Sequence, residues 1–202
     1  SMRGFGVCLA LLGATLLAEE KAVQVAGSLA GYVSWEGEVP VLKPLEVDPA
    51  VPKGCACAPN SPDGKMHLKT NEALRVDPEG RSVADCVVWL KGAKGGPILG
   101  PAEITQKDCV YSPHVAMITA GQTVRVLNPE KIDHNFKADP DLNRSFNVST
   151  IKFKPTEIPT QHFQKPEFIN AVCSIHDWMS CWIAVMENGW AAKTDAKGAF
   201  RI

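Results

Sequence analysis

An all-β sandwich is the fold class this sequence predicts, and three observations predict it. Beyond residue 18 no apolar stripe with a 3.6-residue period is sustained, so amphipathic helices are not expected. Short runs rich in Val, Ile, Thr and aromatic residues recur along the chain, each bounded by Gly, Pro, Asn or Asp. At residues 123–127 (TVRVL) valines alternate with Thr123 and Arg125, the period of two that marks a half-buried strand. Many short strands with Gly/Pro turns indicate a sandwich. The 202 residues are enough for one large sandwich or a domain with an extension.

Taken in order, residues 1–18 (SMRGFGVCLALLGATLLA) carry Arg3 and then an apolar, small-residue run with no acid. This is the pattern of a secretory signal peptide, too short and too poorly flanked for a membrane span. It predicts export to the periplasm or the extracellular space, with no membrane span in the mature chain. Residues 19–102 read as an N-terminal β extension and loop. Within it, VQVAGSLAGYVSWEGEV reads as one or two strands, and residues 40–66 as a long Pro/Gly-rich connection. SVADCVVWL, residues 82–90, reads as one strand buried in the core.

Residues 103–188 form the expected sandwich core. Residues 115–118 and 123–127 are strands joined by a tight turn at Thr119-Ala120-Gly121-Gln122, and residues 137–150 are polar and turn-rich. Residues 150–155 and 161–166 read as short exposed strands. FINAV leads into, and WIAVM out of, the loop that begins at Cys173. The final stretch, 189–202, reads as a strand, a turn at Asp195 to Gly198, and the start of another strand.

Charge is near balance, with 21 basic and 22 acidic residues, so the basic stripe of a nucleic-acid-binding protein is not expected. No Ser/His/Asp set, paired carboxylates or phosphate-binding glycine loop stands out, and five histidines are few for a multi-copper enzyme. An electron-transfer metalloprotein, not an enzyme, is the expectation.

The chemistry-bearing stretch is AVCSIHDWMSCWIAVM, residues 171–186. Cys173, His176 and Met179 form a C-x2-H-x2-M array, which puts a thiolate, an imidazole and a thioether on one loop. That donor set suits copper: a His2Cys site with a long axial Met is the blue-copper arrangement, and zinc disfavours the thioether. The second imidazole must come from elsewhere, and His134, in NPEKIDHNF, is the candidate.

These paired motifs resemble the cupredoxin family, whose first copper His lies in a His-Asn context and whose other ligands come from a C-terminal Cys…His…Met loop. The short loop spacing is most similar to amicyanin, with plastocyanin and pseudoazurin having a longer His-to-Met gap. QKDCVYSPHVAMITAGQTVRV, residues 106–126, resembles the family's lead-in to the first His. The start GYVSWEGEVP is similar to secreted bacterial plastocyanin-like proteins of the methylamine-utilisation-like type. The resemblance implies a Greek-key cupredoxin β-sandwich with one type 1 copper held by His134, Cys173, His176 and Met179. It implies a redox protein as partner and electron exit through an exposed edge of His176 beside an apolar patch containing Trp178. It also implies that Asn135 ties the two ligand-bearing segments together near the thiolate. The tail 189–202 resembles the opening of a further β-sandwich module.

Each residue also has a plainer reading. Cys173 alone would be half of a disulfide, Met179 a core residue, Asn135 a turn residue, and His114 a packed or solvated histidine. Cys55-x-Cys57 with His67 lacks the paired spacing of zinc sites. For the remaining cysteines the expected pairs are Cys86 with Cys181, and Cys109 with Cys55 or Cys57, other connectivities staying open.

Overall fold

The computed structural model of the chain describes residues 27–47, 66–67 and 71–202. The signal-peptide expectation and the expectations on Cys55 and Cys57 lie outside the described residues. The N-terminal extension contributes β1 (Ala30–Tyr32), β2 (Glu46–Val47), β3 (Met66–His67), β4 (Arg75–Val76), β5 (Val83–Ala84) and β6 (Val87–Trp89). Next come β7 (Ala102–Lys107), β8 (Val110–Ser112), β9 (Val115–Thr119), β10 (Val124–Leu127) and β11 (His134–Ala138). They are followed by β12 (Phe146–Thr150), β13 (Pro155–Ile158), β14 (Glu167–Val172) and β15 (Ser180–Met186). The last two strands are β16 (Ala191–Lys193) and β17 (Ala199–Arg201).

Two sheets make the sandwich, one ordered β13-β10-β7-β8 and the other β12-β11-β14-β15-β9. The chain changes sheet after β8, β9, β10, β12 and β13, so the connections cross the core instead of running as a meander. Alternation does the sorting: Val124 and Val126 point inward from β10 while Arg125 stays exposed. Ile104, Val124, Phe136, Ile158, Ile169 and Ile183 meet in one buried cluster between the sheets. Phe136 is its centre, edge-on to Tyr111 at 5.2 Å and stacked on Phe146 at 5.7 Å. Such ring pairs contribute about 0.5–1.5 kcal/mol beyond their buried area. The β9–β10 turn closes with the Gln122 N–H donating to the Thr119 carbonyl, and Gly121 takes the positive φ of +88° that L side chains avoid.

β15 does not alternate: from Ile183 to Met186 every residue is buried. The reason is a second layer. β6 pairs with β16 outside that sheet, and Ala184, Met186 and Ala191 pack there with Val87, Leu99 and Met117. Residues 189–202 thus pair back onto the extension, β16 with β6 and β17 with β1.

Residues 82–90 are not one core strand. Asp85, at a φ of +61°, breaks the run, and its carboxylate sits 2.6 Å from Arg75 and 2.9 Å from Lys193. A charge in mid-run needs partners, and these lie at the edge of the outer layer. Further on, β12 lies inside the stretch expected to be turn, and residues 160–162 form a short 3-10 helix where a strand was expected.

Candidate metal centre

The sandwich brings two distant segments together. β11 and β14 pair antiparallel, with Lys137 opposite Val172 and Ala138 opposite Ala171. Carried on past the end of β14, this register sets Phe136 beside Cys173 and Asn135 beside Ser174. His134, at the head of β11, therefore faces the β14–β15 loop that holds Cys173, His176 and Met179.

The loop closes by two backbone bonds: the Met179 N–H donates to the His176 carbonyl at 3.0 Å, and the Cys173 N–H donates to the Met179 carbonyl at 3.1 Å. Asn135 ties the two segments from the side. Its Oδ1 accepts the Ser174 N–H at 2.7 Å, and its Nδ2 donates to Ser174 Oγ at 3.2 Å and Asn147 Oδ1 at 2.7 Å.

His134, Cys173 and His176 each point one donor atom into a common space, all within 4.8 Å of one another. His134 Nδ1 lies 2.9 Å from His176 Nδ1, and Cys173 Sγ lies 3.6 Å from the latter. Met179, 1% exposed, is buried in the adjoining core cluster. Two imidazole nitrogens facing each other beside a thiol have one proton at most to share comfortably, and such convergence is the chemistry of ligation by neutral imidazole and thiolate. The donor set fits a soft or borderline metal ion of the copper type.

Electrostatics favour the thiolate. Burial pushes the Cys173 thiol up, but hydrogen bonds with His134, His176 and the backbone N–H groups of Asn135 and Ile175 outweigh it and bring it down to about 5. Burial likewise opposes the His134 charge, yet its contacts with Cys173 and Glu130 raise that ring to about 9. Glu130 Oε2 lies 2.8 Å from His134 Nε2, so the outer nitrogen is occupied and Nδ1 faces inward. The same carboxylate accepts the N–H groups of Asp108, at 2.8 Å, and Cys109, at 3.4 Å. Both residues hold positive φ, at 56° and 50°, so Glu130 also secures the tight β7–β8 turn.

His176 is not exposed. It is 2% accessible, with Trp178 set edge-on to it at 5.2 Å and itself buried. Trp178 Nε1–H donates to the Cys109 carbonyl at 3.0 Å, which fixes the indole over the ring. The expected exit through an exposed His176 edge is therefore corrected: Ile175, 52% exposed, is the large apolar side chain this loop presents to solvent. Leu45 of the extension joins Glu72, Trp178, Met179 and Trp182 in lining a cleft of about 330 Å³. His114 lines that cleft too and is not part of the donor cluster.

The expected Cys86–Cys181 bond is also corrected, because both thiols are free. Cys86 sits in the outer layer, where its N–H is held by Thr194 Oγ1, whereas Cys181 is buried in the core between the sheets. Cys109 is disulfide-bonded, and its partner lies outside the described residues. Cys109, Glu130 and His134 also cluster, but they share His134 with the first group and the Cys109 sulfur is taken.

Glu130, Tyr111 and the Trp178–Cys109 bond carry no sequence signal. Glu130 precedes His134 by four residues in a loop, where that spacing has no fixed phase.

No family model matches the chain, and no curated protein does. Among solved structures, a copper-containing nitrite reductase from Thermus scotoductus is 22% identical, with a TM-score of 0.39, over 50% of this chain and 25% of that one. A purple cupredoxin from Nitrosopumilus maritimus is 22% identical, with a TM-score of 0.36, over 42% of this chain and 99% of that one. Amicyanin from Paracoccus versutus is 18% identical, with a TM-score of 0.38, over 50% of this chain and 99% of that one. The pairing of this chain's own strands establishes the all-β sandwich.

Proposed function

We propose that the protein is an exported one-copper carrier of single electrons, with His134, Cys173, His176 and Met179 as ligands and a redox protein as partner. The observation that carries this reading is the convergence of two Nδ1 atoms and Sγ within 4.8 Å, beside a buried methionine on the same loop. Copper in such a site supplies a one-electron couple with little rearrangement between oxidation states. The chain's own residues do the rest. Cys173 is held as a thiolate, Glu130 keeps His134 Nδ1 turned inward, Asn135 locks the loop to β11, and Trp178 keeps water from His176. No membrane-spanning helix occurs among the described residues.

A second reading, a copper carrier or store without redox turnover, is favoured by one observation: both histidine rings are shielded, at 1% and 2% exposure. Voltammetry of the copper-loaded protein separates the two. A fast, reversible one-electron couple is expected for the electron carrier. Tight one-to-one copper binding with a sluggish or irreversible couple would favour storage.

A further inference from the structure

The β12–β13 turn presents a phenylalanine to water at a strained backbone position. The Lys154 N–H donates to the Ile151 carbonyl at 3.1 Å, and Phe153, third in that turn, takes a φ of +58°. Gly or Asn ordinarily occupies such a place, because a bulky side chain there strains the backbone. Burial does not account for the residue: Phe153 is 63% exposed, and Ile151 in the same turn is 47% exposed. The turn is nonetheless pinned. The Phe153 N–H donates to the Asn128 carbonyl at 2.7 Å, and the Lys152 N–H to Asp133 Oδ1 at 2.9 Å. A strained residue held in place with its ring in water points to a use for the ring.

Phe153 lines a hollow of about 630 Å³ together with Lys107, Pro129, Glu130, Lys131 and Ile132. Lys107, Lys131, Lys152 and Lys154 are all exposed, and none is in an ion pair among the described residues. The exposed acids on these segments are Asp108 and Asp133, so positive charge is in excess around the apolar centre. Glu130 adds no outward charge of note, since its carboxylate is turned onto His134 Nε2 at 2.8 Å. That contact also puts only one side chain between the hollow and a ring of the donor cluster. His176, by contrast, is closed off by Trp178.

We propose that this face, centred on Phe153 and Ile151, docks an acidic redox protein, whose carboxylates meet the lysines and whose apolar contact meets Phe153. This rests on the electron-carrier function proposed above. The excess of lysines selects a carboxylate-bearing partner and steers its approach, while the ring fixes the register of the contact. One electron then passes from the reduced site to the oxidised partner on the His134 and Glu130 side, and no bond forms or breaks.

The probe is a mixed monolayer of carboxylate- and methyl-terminated thiols on gold, which offers the chemistry of such a partner. Metal-free protein is expected to adsorb to it and to desorb as salt is raised. The double variant Lys131→Gln, Lys152→Gln is expected to adsorb several-fold less. Phe153→Gly is expected to raise the unfolding midpoint, because the strain is relieved, and to lose the preference for the mixed layer over a purely carboxylate one. In the copper-loaded protein, the rate of electron transfer to the mixed layer is expected to fall in both variants.

Equal adsorption of wild type and the double variant overturns the acidic partner. A lower unfolding midpoint in Phe153→Gly shows that the ring is kept for packing, and overturns its role in docking. Binding to phosphatidylglycerol vesicles that the same variants abolish assigns the face to a lipid surface and overturns the protein partner. If the copper-loaded wild type shows no reversible couple, the electron-carrier function fails, and the metal-free adsorption still decides whether the face takes an acidic surface.

Discussion

Replacing Glu130 by Gln tests how the site is held before any metal arrives. The carboxylate side chain is 12% exposed and lies 2.8 Å from His134 Nε2. Burial opposes its charge, but the His134 ring and the N–H groups of Cys109 and Asp108 hold its carboxyl below the usual range. Glutamine keeps one acceptor oxygen for the His134 side, loses the charge, and puts an NH2 donor where the Asp108 N–H had its acceptor. A hydrogen bond involving a charged group contributes about 1.5–3 kcal/mol and a neutral one about 0.5–1.5. Removing the charge should therefore cost the metal-free variant about 1–1.5 kcal/mol at pH 7, a urea midpoint roughly 0.5 M lower at unchanged slope, with the lost turn acceptor adding a deficit that does not depend on pH. The loss must depend on pH. His134 is raised to about 9 in the folded protein, so its stabilising contribution is complete below the ordinary histidine value of about 6.5. That contribution disappears as pH rises through about 9. The deficit of Glu130→Gln should thus shrink by about 1–1.5 kcal/mol between pH 7 and pH 10, leaving what the β7–β8 turn loses. An equal deficit at pH 7 and pH 10 would mean that Glu130 acts through the β7–β8 turn alone, and would refute the charge pairing with His134.

Three further outcomes are expected. Met179→Leu should keep the copper and raise the reduction potential, since the axial ligand tunes it; an unchanged potential would make Met179 packing only. Cys173 is brought down to about 5 in the folded protein, so its thiolate contribution is lost as pH falls through about 5. In the metal-free protein the thiolate absorbance that Cys173→Ser removes should persist down to about pH 5 and vanish below it, whereas its loss already near pH 8 would show an ordinary thiol. Asp85→Asn should loosen the clasp between β6 and β16 by about 1 kcal/mol, because Arg75 and Lys193 are partly solvated. Hydrogen exchange of Val87 to Trp89 should speed up with no change in the copper spectrum, and a changed spectrum would contradict the separation of the outer layer from the site.

The loop that supplies three of the proposed ligands was legible in the sequence because Cys173, His176 and Met179 fall three residues apart on one short loop, which leaves them few places to go. The β10 alternation was legible for the same local reason. What depended on tertiary pairing was not. Residues 82–90 look like one buried strand until Arg75 and Lys193 are known to draw Asp85 out, and the Cys86–Cys181 expectation fails with that strand. His176 looks exposed by family resemblance, but the Trp178 indole, anchored on the carbonyl of Cys109, lies over it. Glu130 meets His134 through the conformation of the β10–β11 connection, and Tyr111 meets the Asn135 carbonyl only through the packing of one sheet on the other, which no spacing along the chain reveals.

The most direct test of the copper site is the visible and EPR spectrum of the purified protein titrated with Cu(II), beside that of Cys173→Ser. One equivalent should produce an intense thiolate-to-copper band in the wild-type protein, and the variant should lack it while keeping its β-sheet circular dichroism. A band of equal intensity in Cys173→Ser, or none in wild type at one equivalent of copper, would contradict the assignment of Cys173 as the metal-ligating thiolate.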